Sequence, residues 1–307
     1  PLSISSTRAR VTLEKRKGNF SLSIDEFETK ALEGNLVGKG KIELTPEVEL
    51  DIEMSLARAK AKKLANLLGI DNFSFAGILN GQGRLEGPGY NPQFKANLRL
   101  DNARLFYKLK GINLFYQPPH VLAKLVLDKD HLELSEVRGP IHGGDFRFRI
   151  HRQRREDVLW NAYLSFSDVS LKSLFRENLE QGSDIDGQGF LELFFQGKSS
   201  DTKSFAGRGN FRVENAVINE LEELSQIERS YKLRNLVGIE FSKIHSKLKL
   251  FQESLDFSDL NVRSSKGHAR GEVSIAFDKK LEGELKVGLD RGVLSSGHRL
   301  LSLLEGG

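Results

Sequence analysis

Four Gly-x-Gly steps come closest to a chemical motif in this chain: Gly38-Lys39-Gly40, Gly81-Gln82-Gly83, Gly187-Gln188-Gly189 and Gly207-Arg208-Gly209. Such steps cradle phosphate when they follow a strand and open a helix, because free N–H groups and the helix dipole then face the anion. Each step here precedes a strand-like stretch instead: Lys41-Ile42-Glu43-Leu44, Arg84-Leu85, Phe190-Leu191 and Phe211-Arg212-Val213. None supplies the Lys-Ser/Thr pair of a phosphate loop. They read as glycines that let a twisted strand bend or bulge. The histidines at 120, 131, 142, 151, 245, 268 and 298 have neither the i, i+4 helix spacing nor the His-x-His strand spacing of a zinc site. The carboxylate pairs Glu222/Glu223 and Asp184/Asp186 fall at a helix start and a turn, where they have structural reasons to be. There is no Gly-x-Ser-x-Gly elbow, and zero cysteines remove thiol catalysis, disulfides and Cys-ligated zinc together. The chain is read as non-enzymatic, with no cofactor and no metal.

Charge gives little more. The formal net charge is +4, and one dense basic run stands out, His151-Arg152-Gln153-Arg154-Arg155, beside Glu156-Asp157. Lying between two strand-like stretches, it reads as a hairpin tip. It is either simply solvated or a patch where Arg152, Arg154 and Arg155 meet anionic headgroups. Nucleic acid is not an expected partner, because the basic residues are not clustered with interleaved aromatics. Hydrophobic content of 38% with 29% charged residues suits thin, two-faced elements. Twenty Phe against five Tyr and one Trp supply apolar area without a polar handle. No run of 18 apolar residues exists to cross a membrane as a helix. The chain starts at Pro1 and stops within the helix-like Leu300–Leu304, and is expected to be a piece of something longer.

The elements behind these residues have a period of two. Apolar residues alternate in Leu22-Ile24, Ile42-Leu44, Leu50-Ile52-Met54, Phe94-Ala96-Leu98-Leu100 and Leu132-Leu134. The pattern continues through Phe146-Phe148-Ile150, Val158 to Phe166, Ile244 to Leu250, Leu255-Phe257, Val273 to Phe277 and Leu281 to Leu289. Strict alternation marks antiparallel strands with one apolar and one wet face. Four short helices are expected: Ala59–Leu68, one after a Ser167-Asp168 cap, one capped by Asn219, and Ser295–Leu304. Phe205 to Leu224 is read as a strand that turns at Asn215-Ala216 and hands over to the third of these helices.

Internal repetition supports an array. Gly81-Gln82-Gly83 recurs at Gly187, an offset of 187 − 81 = 106, and Phe94–Leu105 recurs from Phe205, an offset of 205 − 94 = 111. Leu132–Val137 recurs as Leu255–Leu260, an offset of 255 − 132 = 123. The expected organisation is one continuous repeat-built region with approximate blocks 1–73, 74–186 and 187–307. The fold class is mainly β: an elongated, twisted antiparallel sheet with about four short helices as plugs or corners. So few helices cannot cover such a sheet. It either closes on itself around a dry core or curls into a groove filled by something else. The side chains expected to line a groove are Phe94, Leu98, Leu100, Phe146, Phe148 and Ile150; Trp160, Leu164, Phe166, Phe211 and Val213; and Leu248, Leu250, Phe257, Val273, Ile275, Leu285 and Val287.

The block from Phe205 through Phe241-Ser242-Lys243-Ile244 to Leu289 resembles the C-terminal region of AsmA-like proteins. The family pattern runs from a Gly-rich strand through a leucine-bearing helix and a Phe-led strand to a hairpin. Leu255, Phe257, Leu260, Val262 and Ser264 occupy the hairpin positions, and Gly271, Val273 and Ile275 those of the following strand. These are degenerate apolar and glycine patterns, and no catalytic residue comes with them. The resemblance implies a periplasmic segment of an inner-membrane-anchored envelope protein, related to bridge-like lipid transfer proteins. Its partner would be phospholipid or another envelope lipid, along with envelope proteins, and its role outer-membrane homeostasis. The alternative is a scaffold or assembly factor for outer-membrane proteins, with a closed dry core.

Overall fold

Two-residue alternation commits a chain to strands because successive side chains then point to opposite faces. The computed structural model describes residues 5–16, 19–44, 46–67, 73–109, 112–154, 158–178, 185–198, 201–218, 239–251, 253–276 and 280–289. These residues are mainly β and antiparallel, with seventeen strands. The chain divides into two units. The first comprises Pro1–Ile141, Phe146–Ala162 and Lys198–Ser200; the second comprises His142–Asp145, Tyr163–Gly197 and Asp201–Gly307.

In the first unit the chain runs β1 (Ser5–Arg16), β2 (Asn19–Ala31), β3 (Gly34–Leu44), β4 (Val48–Lys60), α1 (Ala61–Leu67), β5 (Phe73–Pro88) and β6 (Gln93–Leu109). It continues through β7 (Ile112–Tyr116), β8 (His120–Leu127), β9 (His131–Ile141), most of β10 (Gly144–Arg154) and the start of β11 (Val158–Ser170). From β1 to β6 each strand pairs with the next. β6 takes two partners in succession: β7 along Leu105–Leu109 and β8 along Phe94–Asp101. The change falls where Pro118 and Pro119, lacking N–H groups, interrupt the ladder. There the Asn102 N–H donates to the Pro119 carbonyl at 2.9 Å, and Pro118 is fully buried. β8 pairs in turn with β9.

The second unit holds the rest of β11, α2 (Leu171–Asn178), most of β12 (Ile185–Lys198), β13 (Asp201–Ile218), β14 (Ile239–Phe251), β15 (Ser254–Ser264), β16 (Gly267–Ala276) and β17 (Leu281–Leu289). β13 to β17 form a meander. Two short helices are present among the described residues, not about four. The helices expected after Asn219 and from Ser295 lie outside the described residues. α1 begins at Ala61 rather than Ala59, because Ala59 still pairs with Leu79. α2 is capped by Ser170, whose Oγ accepts the Ser173 N–H at 3.3 Å, and not by Ser167-Asp168.

Asp168 has a different duty. It is one of six non-glycine residues inside strands with left-handed backbone: Arg58 (φ 57°), Asn102 (50°), Glu136 (50°), Asp168 (57°), Asn215 (52°) and Asp259 (53°). Asn and Asp are the side chains that tolerate this region best. At Asn102 the register slips: Ala76 faces Arg104 but Ile78 faces Asp101, so β6 carries one residue more than β5. Comparable slips occur beside Arg58, Glu136 and Asp259. These are β-bulges, which bend a strand and sharpen its twist. The side-chain phase flips across these bulges, and also across left-handed Asn215, where β13 stays in register with β14, and the apolar spacing jumps from two to three: Leu98, Leu100, Ala103; Leu132, Leu134, Val137; Phe211, Val213, Ala216; Leu255, Phe257, Leu260. Without the flip, the far half of each strand would turn its apolar residues to water. Asn215-Ala216 is therefore no turn; β13 runs on through it to Ile218.

The bulges also reset the repeat. Gly77 and Gly187 share an unusual backbone, φ 138° and 136°. A Cβ on Gly77 would sit 2.9 Å from the Asp101 oxygen and 3.2 Å from Ala103 Cα; one on Gly187 would sit 3.2 Å from the Glu214 oxygen and 2.9 Å from Ala216 Cα. The β5–β6 hairpin thus corresponds to β12–β13 with offsets of 187 − 77 = 110 and 216 − 103 = 113. The Gly-Gln-Gly match at an offset of 106 is four residues out of step with this correspondence.

Candidate functional site

One sealed row of the first unit lies beside the bulges, and Ala96, Leu125, Val137 and Phe146 are sealed as well. Ala31 stands opposite Gly34, and Ala59, Leu79, Leu100 and Val121 follow one another across β4, β5, β6 and β8. All six are buried, and α1 contacts β5 beside them. Burying a leucine such as Leu100, 3% exposed, stabilises by about 2 kcal/mol.

Moving along the strands away from the bulges, the rows open. Leu36, Leu56, Gly81, Leu98 and Ala123 are in register across five strands; so are Gly40, Ile52, Leu85, Phe94, Leu127 and Leu132 across six. Directly opposed residues share a face, so these rows make one continuous apolar surface. Glycine leaves room for large neighbours there: a Cβ on Gly83 would lie 2.7 Å from the Phe94 ring. Most of these side chains are only half-buried, and the outermost row, Phe20, Leu44 and Val48, is exposed. In the second unit, Gly209, Leu248, Phe257, Val273 and Gly283 form one row, and Gly207, Leu250, Leu255, Ile275 and Leu281 the next. Leu248 and Val213 are sealed, while Leu285 and Val287 on β17 are 50% and 64% exposed. Phe211 meets Phe257 edge-on, 6.0 Å between centroids, with the small buried Ser246 on the strand between them donating to the Ser258 carbonyl at 2.7 Å.

The expected groove-lining residues therefore fall into three conditions. Leu100, Phe146, Val213 and Leu248 are buried by the protein itself. Phe94, Leu98, Phe148, Ile150, Trp160, Leu164, Phe166, Phe211, Leu250, Phe257 and Val273 are half-buried. Ile275, Leu285 and Val287 are exposed. Among the headgroup candidates, the Arg152 guanidinium lies over the Trp160 ring, 5.1 Å from its centroid, so it is packed rather than freely solvated. The Arg154 side chain and Arg155 lie outside the described residues.

The opposite face of the first unit is charged and largely self-neutralising. Arg84 grips Asp51 through Nε–Oδ1 at 2.7 Å and Nη2–Oδ2 at 2.8 Å, the paired geometry that strengthens a guanidinium–carboxylate contact. Lys95 meets Glu86 at 2.6 Å, Lys124 meets Glu136 at 2.7 Å and Lys39 meets Glu53 at 3.6 Å. Hydrogen bonds from Arg84, Lys95 and Lys124 hold the Asp51, Glu86 and Glu136 carboxyls below the usual carboxylate range. A trough of about 880 Å³ runs between two rows on this side, Lys39, Glu53, Arg84, Lys95 and Val37, Ser55, Gln82, Asn97. Lys39, Glu53, Arg84 and Lys95 along it are each already engaged in an ion pair.

Sequence spacing missed one assembly. His131 and His151 lie on β9 and β10 with rings 6.0 Å apart, and Asp128 Oδ1 is 3.1 Å from His131 Nδ1. Only strand pairing brings these residues together. No group of three or more His, Cys, Asp or Glu side chains fit to hold a metal occurs among the described residues. The bulge residues were also missed, although the jump from two to three in apolar spacing signals them. No family model, curated protein or solved structure matches this chain.

Proposed function

We propose that this chain is a non-catalytic, AsmA-like lipid-binding segment of the periplasm, part of an inner-membrane-anchored protein that carries phospholipid in support of the outer membrane. In this reading the apolar rows curl into a groove built from repeated blocks, and acyl chains take the place of the missing second layer while headgroups remain at the open side. Each CH₂ removed from water contributes about 0.8 kcal/mol, so exchange needs no chemistry. The observation that carries the reading is the run of apolar rows, in register across neighbouring strands, whose large side chains stay half-exposed. A soluble protein rarely leaves so contiguous an apolar surface without an occupant.

The test is chemical. Protein purified without detergent is expected to release phospholipid on solvent extraction and to move it between vesicles. Asp at Phe148, Leu164 or Phe257 should abolish both. Lipid-free protein by native mass spectrometry, together with unchanged folding and transfer in those variants, would sink the proposal.

A further inference from the structure

The charged face of β13–β17 is zoned in a way that the first unit is not. Register places Lys243 opposite Arg263 and Arg263 opposite His268. One step along the strands, Arg212, His245, Asn261, Arg270 and Lys286 stand in a single row across five strands. Lys266 adds a cation in the turn between β15 and β16. Like charges directly opposed in a sheet repel, so such a row is held at a cost. Arg212 is compensated by Glu214 at 3.2 Å, and its guanidinium lies over Phe190, 4.1 Å from the centroid. Lys286 reaches Glu284 only at 3.9 Å. Lys243, Arg263 and Arg270 make no ion pair among the described residues. Behind this strip stand Asp259, paired to Lys247 at 2.7 Å, Glu272 and Glu284. The two rows wall a trough of about 680 Å³. Cations thus predominate near Ser264, Gly267 and Leu289 at the ends of β15, β16 and β17, while Glu214 and Glu240 lie towards the same end of β13 and β14.

We propose that this corner of the second unit docks, strand ends first, on a bilayer surface containing anionic phospholipid. Three observations select that partner. In the outer strip Lys243, Arg263 and Arg270 outnumber the one facing carboxylate, Glu214, and make no ion pair among the described residues. Glu272 and Glu284 behind it would repel a polyanion laid across the whole face, which favours contact at the ends of β15 to β17. Leu285 and Val287, 50% and 64% exposed, lie on the other face of β17 from Lys286, so this strand presents aliphatic side chains on one face and a cation on the other, which suits the headgroup–acyl boundary. Single-stranded nucleic acid would want Phe, Tyr or Trp rings to stack on along its path, and the rows of the strip hold none of these. The docking shares Leu285 and Val287 with the apolar rows, but it rests on the cationic strip and needs no acyl chain in those rows.

The whole 307-residue chain is floated with vesicles of phosphatidylcholine alone and of phosphatidylcholine mixed with phosphatidylglycerol. It should float with the mixed vesicles only, and come off at high salt. Each of Lys243→Gln, Arg263→Gln and Arg270→Gln should weaken partitioning about fivefold, and the three together roughly 100-fold. Circular dichroism checks their fold; should the triple variant unfold, the single variants carry the test. Leu285→Ser with Val287→Ser should lower partitioning several-fold while leaving its salt dependence. Equal flotation on both vesicle types, or a folded triple variant that still binds, overturns the proposal. So does competition by single-stranded DNA that matches anionic vesicles and ignores Leu285 and Val287. Phe257→Asp should empty the apolar rows and leave flotation intact, which separates this docking from the lipid-binding reading.

Discussion

β4–β8 of the first unit and β13–β17 of the second are made from the same alternation, yet they are finished differently. Both set like charges opposite one another, Asp51 with Glu86 in one and Arg270 with Lys286 in the other. In the first unit the conflict resolves along diagonals, Arg84 to Asp51 and Lys95 to Glu86. In the second, a further row sets Lys243 opposite Arg263 and Arg263 opposite His268 beyond the block. Each apolar side has sealed and open positions: Leu100 is 3% exposed and Leu127 36% in the first, Leu248 4% and Leu285 50% in the second. Alternation makes a two-faced sheet; what stands next to each residue decides whether a face is closed.

The largest expected difference tests sealing. Leu100→Asp should cost about 4 kcal/mol or more in a urea titration, because it combines lost burial with an unpaired charge in the buried row. Leu285→Asp should stay within about 0.5 kcal/mol. Equal costs would mean that the two rows do not differ as described. The left-handed asparagines should instead behave alike in both units. Asn102→Val and Asn215→Val should each cost about 1–2 kcal/mol, since a β-branched residue resists left-handed backbone, while glycine at either site should be nearly neutral. A neutral valine would remove the argument that these positions need φ > 0.

The smallest effect is electrostatic. The Asp51 and Glu86 carboxyls are held below their unfolded values of about 4, so whatever they contribute is present above that pH and is lost as pH falls through the folded values. Both are exposed and screened by salt, which keeps the contribution modest. Urea midpoints of wild type should therefore fall more steeply on acidification than those of Asp51→Asn with Glu86→Gln. Arg263→Gln in the second unit should leave that slope unchanged.

Much of the strand content was legible, because Phe94-Ala96-Leu98-Leu100 or Leu281-Gly283-Leu285-Val287 can alternate in only one regular structure. The phase jumps at Asn102 and Asn215 were legible too. A three-residue step with Asn also fits a turn, and only pairing with β14 on both sides of Asn215 tells the two apart. Ser170, not Ser167-Asp168, caps α2 because β11 runs on through the left-handed Asp168 to Ser170.

The sequence by itself determined which residues share a face, since that follows from alternation and its phase jumps within each strand. It also determined that no familiar catalytic spacing is present. Only the tertiary structure decided register, and with it the union of Leu98 with Gly81 and Ala123, the closure of Asp51 on Arg84, and the meeting of His131 with His151. Register is set between strands, by the turns that join them and by bulges that shift it by one, so the pattern within a strand cannot state which side chains will be neighbours.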